Sequence, residues 1–349
     1  MTRSSQKSDN CFDILRYWAA FSVMYLHFTG YALIYTESAS WFISALRTVA
    51  TIMPGVVVLF SLSGFLIAGS LERTKSLRDF FIKRVLRLYP ELWVCTLANF
   101  LVLLIIARKT LDSSIIPWLI SQIFGIANTP TCLRTFATGS VNGALWTVFT
   151  EIQLYIVVAV TFKAVKKLSL KGWVVFLSLL LLLNIGADLI ANYVGNSFIN
   201  KLIERLFLPY ALWFYIGVFC ALKFDLVVPI MKKYIVLILV FYLAARYCDL
   251  GLPGYYCNAL IGIMCPLAII GLAYSLPPRR IKMDITYGLF LYHWIFINLI
   301  VHYKLFSSMS IFVVTALFTL LSVGAAWVSS IYVGKWSKHL SMKLIVKGR

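Results

Sequence analysis

The chain has 349 residues, of which 61% are hydrophobic and only 13% are charged, and its mean hydropathy is +0.88. This composition excludes an ordinary soluble domain and indicates a polytopic membrane protein. The formal charge of +19 would suggest a nucleic-acid partner in a soluble protein. In a membrane protein it is typical of basic cytoplasmic loops, so we expect no nucleic acid.

About ten apolar segments along the chain approach the length that a bilayer requires. They cover 13–34, 49–70, 89–107, 145–162, 172–190, 207–222, 234–247, 258–275, 285–303 and 311–331. With the N-terminus inside, about three-quarters of the 32 Lys and Arg fall on the cytoplasmic side. The positive-inside rule therefore predicts an all-α, polytopic transmembrane bundle of about ten spans with both termini in the cytoplasm. We expect one transmembrane domain over 1–349, without a separate soluble domain.

The first apolar segment, FDILRYWAAFSVMYLHFTGY, carries Arg16 and, eleven residues later, His27. That spacing places both on one face of a helix, about 16 Å apart along its axis. Taken singly, Arg16 could be a snorkelling interfacial anchor and His27 a hydrogen-bonding residue between helices. The aligned pair is more informative than either residue alone, with Arg16 near the cytoplasmic surface and His27 about two-thirds of the way across.

Ser63 and Gly64 lie near the inner end of the second apolar segment, and a basic cluster follows that segment. Gly64 permits the close approach of another backbone or of a ligand. The cluster could serve only topology or attraction to anionic lipids. However, Lys83, Arg84 and Arg87 recur at helical spacing. Because arginine binds phosphate through a bidentate fork, this spacing favours a site for a phosphorylated cytosolic ligand.

Two later apolar segments also contain ionisable side chains. Glu151 lies about 9 Å in from the outer end of its helix, close to the depth expected for His27. Titratable groups at one level of the membrane indicate a functional site, although Glu151 could instead pair with an outer Arg. Tyr287 could be an interfacial belt residue. His293, at mid-membrane, could be a site residue or a packing residue.

Two shorter features of the chain leave alternatives open. The stretch PWLISQIFGIA, within 108–144, is too apolar for a plain outer loop and is typical of a re-entrant or interfacial segment. Cys248 and Cys257 share one hydrophilic loop and could form a disulfide if that loop is exported. The seven cysteines include no CxxC pair, so we expect no metal site.

Taken in order, four segments resemble the motifs of the acyltransferase-3 family of integral membrane acyltransferases. FDILRYWAAFSVMYLH resembles its first helix, with a basic residue, a ten-residue spacer and a His. FSLSGFLIAGSL, followed by FFIKRVLRLYP, resembles its serine-glycine-phenylalanine element and arginine pair. LWTVFTEIQLY and DITYGLFLYHW resemble its two later elements, with Thr147 and Thr286 in place of Ser and Phe290 in place of Tyr.

The resemblance implies transfer of an acyl group, usually acetyl from acetyl-CoA, to a hydroxyl of a cell-envelope glycan. The chain is similar to short, stand-alone members that modify lipid-linked or polymeric glycans such as O-antigen. The resemblance therefore implies a location in the bacterial inner membrane, among its lipids. It requires acetyl-CoA as a substrate but no permanently bound cofactor.

Residue roles follow from the same resemblance. His27 is expected to be the general base or a covalent acyl relay, with Glu151 stabilising its imidazolium. Arg16, grouped with these catalytic residues, and the basic cluster are expected to hold the CoA phosphates. The residues assigned to donor binding are Ser63, Gly64, Phe65, Lys83, Arg84, Arg87 and Tyr89. Those assigned to acceptor binding are Trp146, Tyr155, Tyr287 and His293.

Two other functions remain open from the sequence. One is acylation of a small secreted molecule by the same fold. The other is a secondary transporter or flippase, which would predict inverted repeats and paired broken helices, and neither is evident in the sequence. The sequence does not specify the acceptor sugar, its hydroxyl, the acyl chain or the oligomeric state.

Overall fold

A computed structural model describes residues 9–36, 41–74, 76–248 and 251–347. These ranges contain helices and no strand, so the predicted all-α fold is confirmed. The helices are α1 (Phe12–Tyr35), α2 (Trp41–Thr51), α3 (Gly55–Arg73), α4 (Leu77–Ile106), α5 (Ile115–Ile123), α6 (Trp146–Lys167), α7 (Leu170–Val194), α8 (Ser197–Arg205), α9 (Ala211–Leu222), α10 (Phe224–Lys233), α11 (Ile235–Tyr247), α12 (Ala259–Ser275), α13 (Thr286–His302), α14 (Leu305–Ser308), α15 (Ile311–Ser329) and α16 (Lys335–Lys347). A short π-helix, Ser330–Gly334, joins α15 to α16.

Several of these helices are long and apolar enough to cross a bilayer. In the described part of the chain there are five, or up to seven if each of two bent helix pairs is one span. The five are Trp41–Arg73, Leu77–Ile106, Trp146–Lys167, Leu170–Val194 and Ile311–Ile345. The α8–α9 pair bends by 51° and the α10–α11 pair by 75°. The count of ten spans and the orientation of the termini stay predictions.

Helix α7 illustrates why the chain belongs in a membrane. Most of its apolar side chains point outward, with Val175 70% and Leu182 64% exposed, whereas the polar Asn184 is buried. The Asn184 amide donates hydrogen bonds to the carbonyls of Pro209 and Tyr255, at 2.7 and 3.3 Å. A helix with an apolar exterior and a satisfied polar interior matches a lipid environment rather than water.

Local signals in the sequence account for where particular helices begin and end. The Ser169 hydroxyl caps α7 by accepting from the Gly172 amide, and Gly195 ends that helix at a φ of 59°. Helix α4 runs unbroken through Pro90. The apolar span predicted over 89–107 therefore forms only the second half of α4. The first half of α4 carries the basic residues Lys83, Arg84 and Arg87.

The helices group into two compact units. The first comprises Met1–Ala19, Ile52–Leu77 and Thr150–Lys282; the second comprises Ala20–Thr51, Arg78–Phe149 and Met283–Arg349.

In the first unit, α3 packs along α9 through two glycines. A Cβ on Gly64 would overlap the carbonyl oxygen of Phe214, and one on Gly217 would overlap that of Ser61. The predicted close approach at Gly64 is therefore confirmed as a backbone-to-backbone crossing.

In the second unit, α13 packs against α15, and almost every side chain of α13 from Thr286 to Ile300 is buried. The apolar segment around α5 packs into a small cluster in which Trp118 is buried with Leu103, Leu133 and Val141. Packing of this kind is what an irregular apolar segment needs if it lies at membrane depth. Its predicted re-entrant or interfacial position stays a prediction.

All seven cysteines are free thiols, so the structure contains no Cys248–Cys257 disulfide. Burial raises the pKa of the Cys257 thiol to about 12, whereas Cys248 is exposed.

Candidate active site

Two histidines of the second unit are in direct contact. His27 projects from α1 and His293 from α13, and the His27 Nδ1 lies 3.0 Å from the His293 Nε2. Their rings are nearly parallel, with an interplanar angle of 3° and centroids 5.3 Å apart. His293 is fully buried, and its Nδ1 lies 2.9 Å from the carbonyl oxygen of Leu289.

These contacts determine the proton arrangement of a neutral pair. A carbonyl oxygen can only accept, so the His293 Nδ1 carries the proton that is donated to Leu289. The His293 Nε2 is then an acceptor, and the His27 Nδ1 must donate to it. This leaves the lone pair of His27 on its Nε2. A half-buried imidazole with a fixed tautomer and an available lone pair can act as a general base or a nucleophile.

Trp294 packs against the histidine pair and is itself held by the segment before α6. Its ring meets the His27 ring edge-on at 4.7 Å, and its Nε1 donates to the Ser140 carbonyl at 3.1 Å. A Cβ on Gly143 would overlap the Trp294 ring. The Asn142 amide donates to the Leu291 carbonyl at 2.9 Å, which further ties this segment to α13.

The sequence analysis assigned no role to Asn142, Gly143 or Trp294, although all three occur in or beside the motifs that carry the resemblance. For Asn142 and Gly143, the sequence feature that could have indicated a role was their position just before a membrane helix. A glycine there allows the backbone to approach another helix closely. Trp146, predicted to bind the acceptor, is the first residue of α6 and is half-buried.

A second polar cluster lies in the first unit and brings together three of the predicted residues. The Ser63 hydroxyl donates to the Glu151 Oε1 at 2.8 Å and lies 3.4 Å from the Tyr155 hydroxyl. Tyr155 also donates to the same Glu151 oxygen. The carboxylate is thus held by hydroxyl donors rather than left unsatisfied in an apolar helix. Ser63 was predicted to bind the acyl donor and Tyr155 the glycan acceptor, but in the structure both form hydrogen bonds to Glu151.

The neighbours of this cluster have packing roles in the structure. Gly64 forms the α3–α9 crossing, and Phe65 is buried with its ring 5.0 Å from that of Phe12. Arg16, predicted to hold CoA phosphates, is half-buried on the part of α1 that belongs to the first unit, and that role stays a prediction. Because His27 and Glu151 belong to different units, the pairing predicted for them stays a prediction.

A cavity of about 470 Å³ in the second unit is lined by three of the seven residues that were predicted to bind the donor. Its wall includes the basic side chains Lys83, Arg84 and Arg87 of α4, together with Tyr287 of α13. Tyr287 was predicted on the acceptor side but lines this cavity, and its hydroxyl donates to the Leu88 carbonyl at 3.0 Å. Tyr89 is not part of the lining; its ring meets that of Trp93 edge-on at 5.6 Å.

Two carboxylates also line the cavity, and neither was assigned a role from the sequence. Asp284 lies 3.9 Å from the Arg87 guanidinium, with both side chains partly exposed. Glu91 is one turn beyond Arg87, and its Oε1 accepts from the Ser329 hydroxyl at 2.7 Å. The cavity therefore presents both cationic groups and hydrogen-bond acceptors. Within the described ranges, no group of three or more His, Cys, Asp or Glu could hold a metal ion.

The described residues form helices that turn apolar side chains outward, together with a histidine pair of fixed tautomer and a basic cavity. These features define a membrane protein with a site suited to an enzyme. The family model described as "Acyltransferase domain" matches residues 9–331, so the chain belongs to the acyltransferase-3 family. It is an integral membrane acyltransferase, and the predictions of the family and of enzymatic activity are confirmed.

Two curated relatives align over most of the chain. "Nodulation protein 10" of Rhizobium leguminosarum bv. viciae is 25% identical over 322 residues, covering 84% of this chain and 84% of that protein. "O-acetyl transferase" of Shigella phage Sf6 is 27% identical over 326 residues, covering 88% of this chain and 92% of that protein. No solved structure matches the chain significantly.

Proposed function

We propose that the protein is a membrane-embedded O-acetyltransferase that moves an acetyl group from acetyl-CoA to a hydroxyl of a cell-envelope glycan, such as O-antigen or another lipid-linked polysaccharide. The observation that carries this proposal is the available Nε2 lone pair of His27, oriented by His293. The name of the Shigella phage Sf6 relative supports transfer to oxygen. The glycan acceptor and the bacterial inner membrane rest on the resemblance of the motifs.

The proposed chemical step uses His27 as a general base. Its Nε2 takes the proton of the acceptor hydroxyl as the oxygen attacks the thioester carbonyl carbon. The carbon–sulfur bond then breaks, and the imidazolium returns the proton to the departing CoA sulfur. His293 keeps the Nδ1 proton of His27 engaged throughout, so the reactive lone pair remains on Nε2.

We place the phosphate-bearing part of the donor in the basic cavity. Arg84 and Arg87 suit phosphate groups because a guanidinium can donate two parallel hydrogen bonds to them. Helix α13 links this cavity to the histidine pair, since Tyr287 lines the cavity and His293 follows less than two turns later, about 9 Å along the axis. The acyl end of a bound donor would therefore extend along α13 toward His27.

The proposal is tested with purified protein by measuring free CoA released from acetyl-CoA, with and without a lipid-linked glycan acceptor. We expect release only when the acceptor is present, together with acetylation of the glycan by mass spectrometry. His27→Ala, purified as a folded protein, should lose on the order of 10²–10⁴-fold in rate. Acetyl-CoA turnover that requires a small molecule and ignores the glycan would contradict the acceptor. No CoA release with any acceptor would contradict the acetyl-CoA donor.

A further inference from the structure

The cavity has a wall that lies outside the family match. The match ends at residue 331, whereas Ser337, Lys338, Ser341 and Met342 of α16 all line the cavity together with the basic residues of α4. Helix α16 therefore encloses part of this cavity with residues that lie beyond the matched range.

Specific contacts hold α16 in this position. Ser337 is buried, and its hydroxyl donates to the carbonyl of Leu86 in α4. The π-helix Ser330–Gly334 precedes α16, and the Ser330 hydroxyl donates to the Asp284 carbonyl at 2.9 Å. A π-helical turn changes the direction in which the following side chains project and is frequent at functional sites. The lining face of α16 is thus fastened to α4 and to the residues before α13.

The polar residues of α16 are not equivalent. Among Lys335, Lys338 and Lys343, all exposed, Lys338 lines the cavity and the other two do not. Ser341 and Met342 follow Lys338 at three- and four-residue spacing, so the three side chains share one face of the helix. That face adds an ammonium group and a hydroxyl to a cavity that already contains Lys83, Arg84 and Arg87.

We propose that α16 forms a second phosphate-binding wall, in which the Lys338 ammonium and the Ser341 hydroxyl bind phosphate groups of the acyl donor in the cavity that they share with Arg84. This inference rests on the proposed function, because it assumes a CoA-type donor in the cavity. The two walls differ chemically: an arginine fork binds phosphate directionally, whereas a lysine ammonium contributes a mobile point charge. Lys338 would therefore increase affinity for the phosphorylated end of the donor without taking part in the chemical step.

The test compares binding of CoA and of pantetheine, which lacks the phosphates, to the full-length protein in neutral detergent by titration calorimetry. We expect Lys338→Gln to weaken CoA binding about threefold to tenfold and to leave pantetheine binding unchanged. The loss should shrink at high salt, because exposed charges are screened. Lys338→Arg should bind CoA nearly as the parent does. Lys343→Gln, on the same helix but outside the cavity, is the matched control and should equal the parent.

Parental CoA affinity of Lys338→Gln would overturn the inference, as would an equal loss of pantetheine binding. A third overturning result is an effect absent in neutral detergent that appears only in nanodiscs containing phosphatidylglycerol, since that would make Lys338 a lipid contact. Arg84→Gln separates the two proposals. If it weakens CoA binding and Lys338→Gln does not, the α16 inference alone fails; if Arg84→Gln also equals the parent, the donor site itself is wrong.

Discussion

His27 and His293 contact each other through one nitrogen of each ring, at 3.0 Å, and the second nitrogen of His293 is occupied by the Leu289 carbonyl. The contact joins α1 to α13, which lies more than 260 residues later in the sequence. If His27 is the base as proposed, this contact gives His293 the role of a positioning residue rather than of a second independent base.

Replacing His293 should therefore reduce the rate without preventing donor binding. His293→Leu leaves the His27 tautomer unspecified, and we expect kcat to fall at least about tenfold with little change in the KM for acetyl-CoA. His293→Gln should recover part of the loss, because its amide oxygen can accept from the His27 Nδ1. His302→Leu, at the end of the same helix, is the control for general damage to α13. A folded His293→Leu protein with parental kcat would refute the positioning role.

Glu151 offers a test of functional coupling to His27. Glu151→Gln should lose most activity, and the double variant with His27→Ala should be scarcely worse than His27→Ala alone, because residues that act together are strongly non-additive. The measurement is acceptor acetylation per folded molecule. If Glu151 only accepts the structural hydrogen bonds from Ser63 and Tyr155, Glu151→Gln should instead lower the yield of folded protein. The molecules that fold would then keep near-normal activity.

The basic wall of α4 should determine donor affinity. Arg84→Gln combined with Arg87→Gln should raise the KM for acetyl-CoA and leave the KM for the acceptor nearly unchanged. Each lost charged contact is worth roughly 1.5–3 kcal/mol, and we expect the low end for Arg87 because it is partly exposed. Arg78→Gln lies on the same helix outside the cavity lining and is the control. Donor titrations identical to the parent would limit the cluster to topology or lipid binding.

The membrane orientation is tested with reporter fusions. We expect a cytoplasmic signal after Lys171 or Arg280 and an external signal near Thr138 or Asn196, because basic residues concentrate in cytoplasmic loops. The reporter signal shows the side of the membrane whether or not the chain upstream of the fusion point is active. A cytoplasmic signal from a reporter near Thr138 would contradict the predicted ten-span topology.

The α3–α9 crossing should be intolerant of added volume. Gly64→Ala forces its new methyl group against the Phe214 backbone, and we expect a loss of at least about 1–3 kcal/mol in the free energy of unfolding. The control is Gly186→Ala in α7, where a Cβ meets nothing within 4 Å. That variant should be neutral or slightly stabilising, because alanine loses less backbone entropy than glycine in a helix. Equal thermal denaturation of the two variants would contradict the close crossing.

The sequence by itself determined the class of the molecule and the residues most worth testing. Hydrophobic composition and runs of apolar residues require helices in a membrane, because a bilayer leaves no other partner for backbone polar groups. The motifs around His27, Ser63, Glu151 and His293 identified the family from local spacing alone. A helix, a turn and a charge cluster are local properties, so their signals survive in a single sequence.

Only the tertiary structure decided which side chains meet. The sequence could not show that His27 contacts His293, that Ser63 and Tyr155 share Glu151, or that Tyr287 faces the basic cavity. Nor could it place α16 against α4, since no spacing rule relates Lys338 to Arg84. These pairings join segments far apart in the chain, and they depend on helix packing that periodicity does not encode.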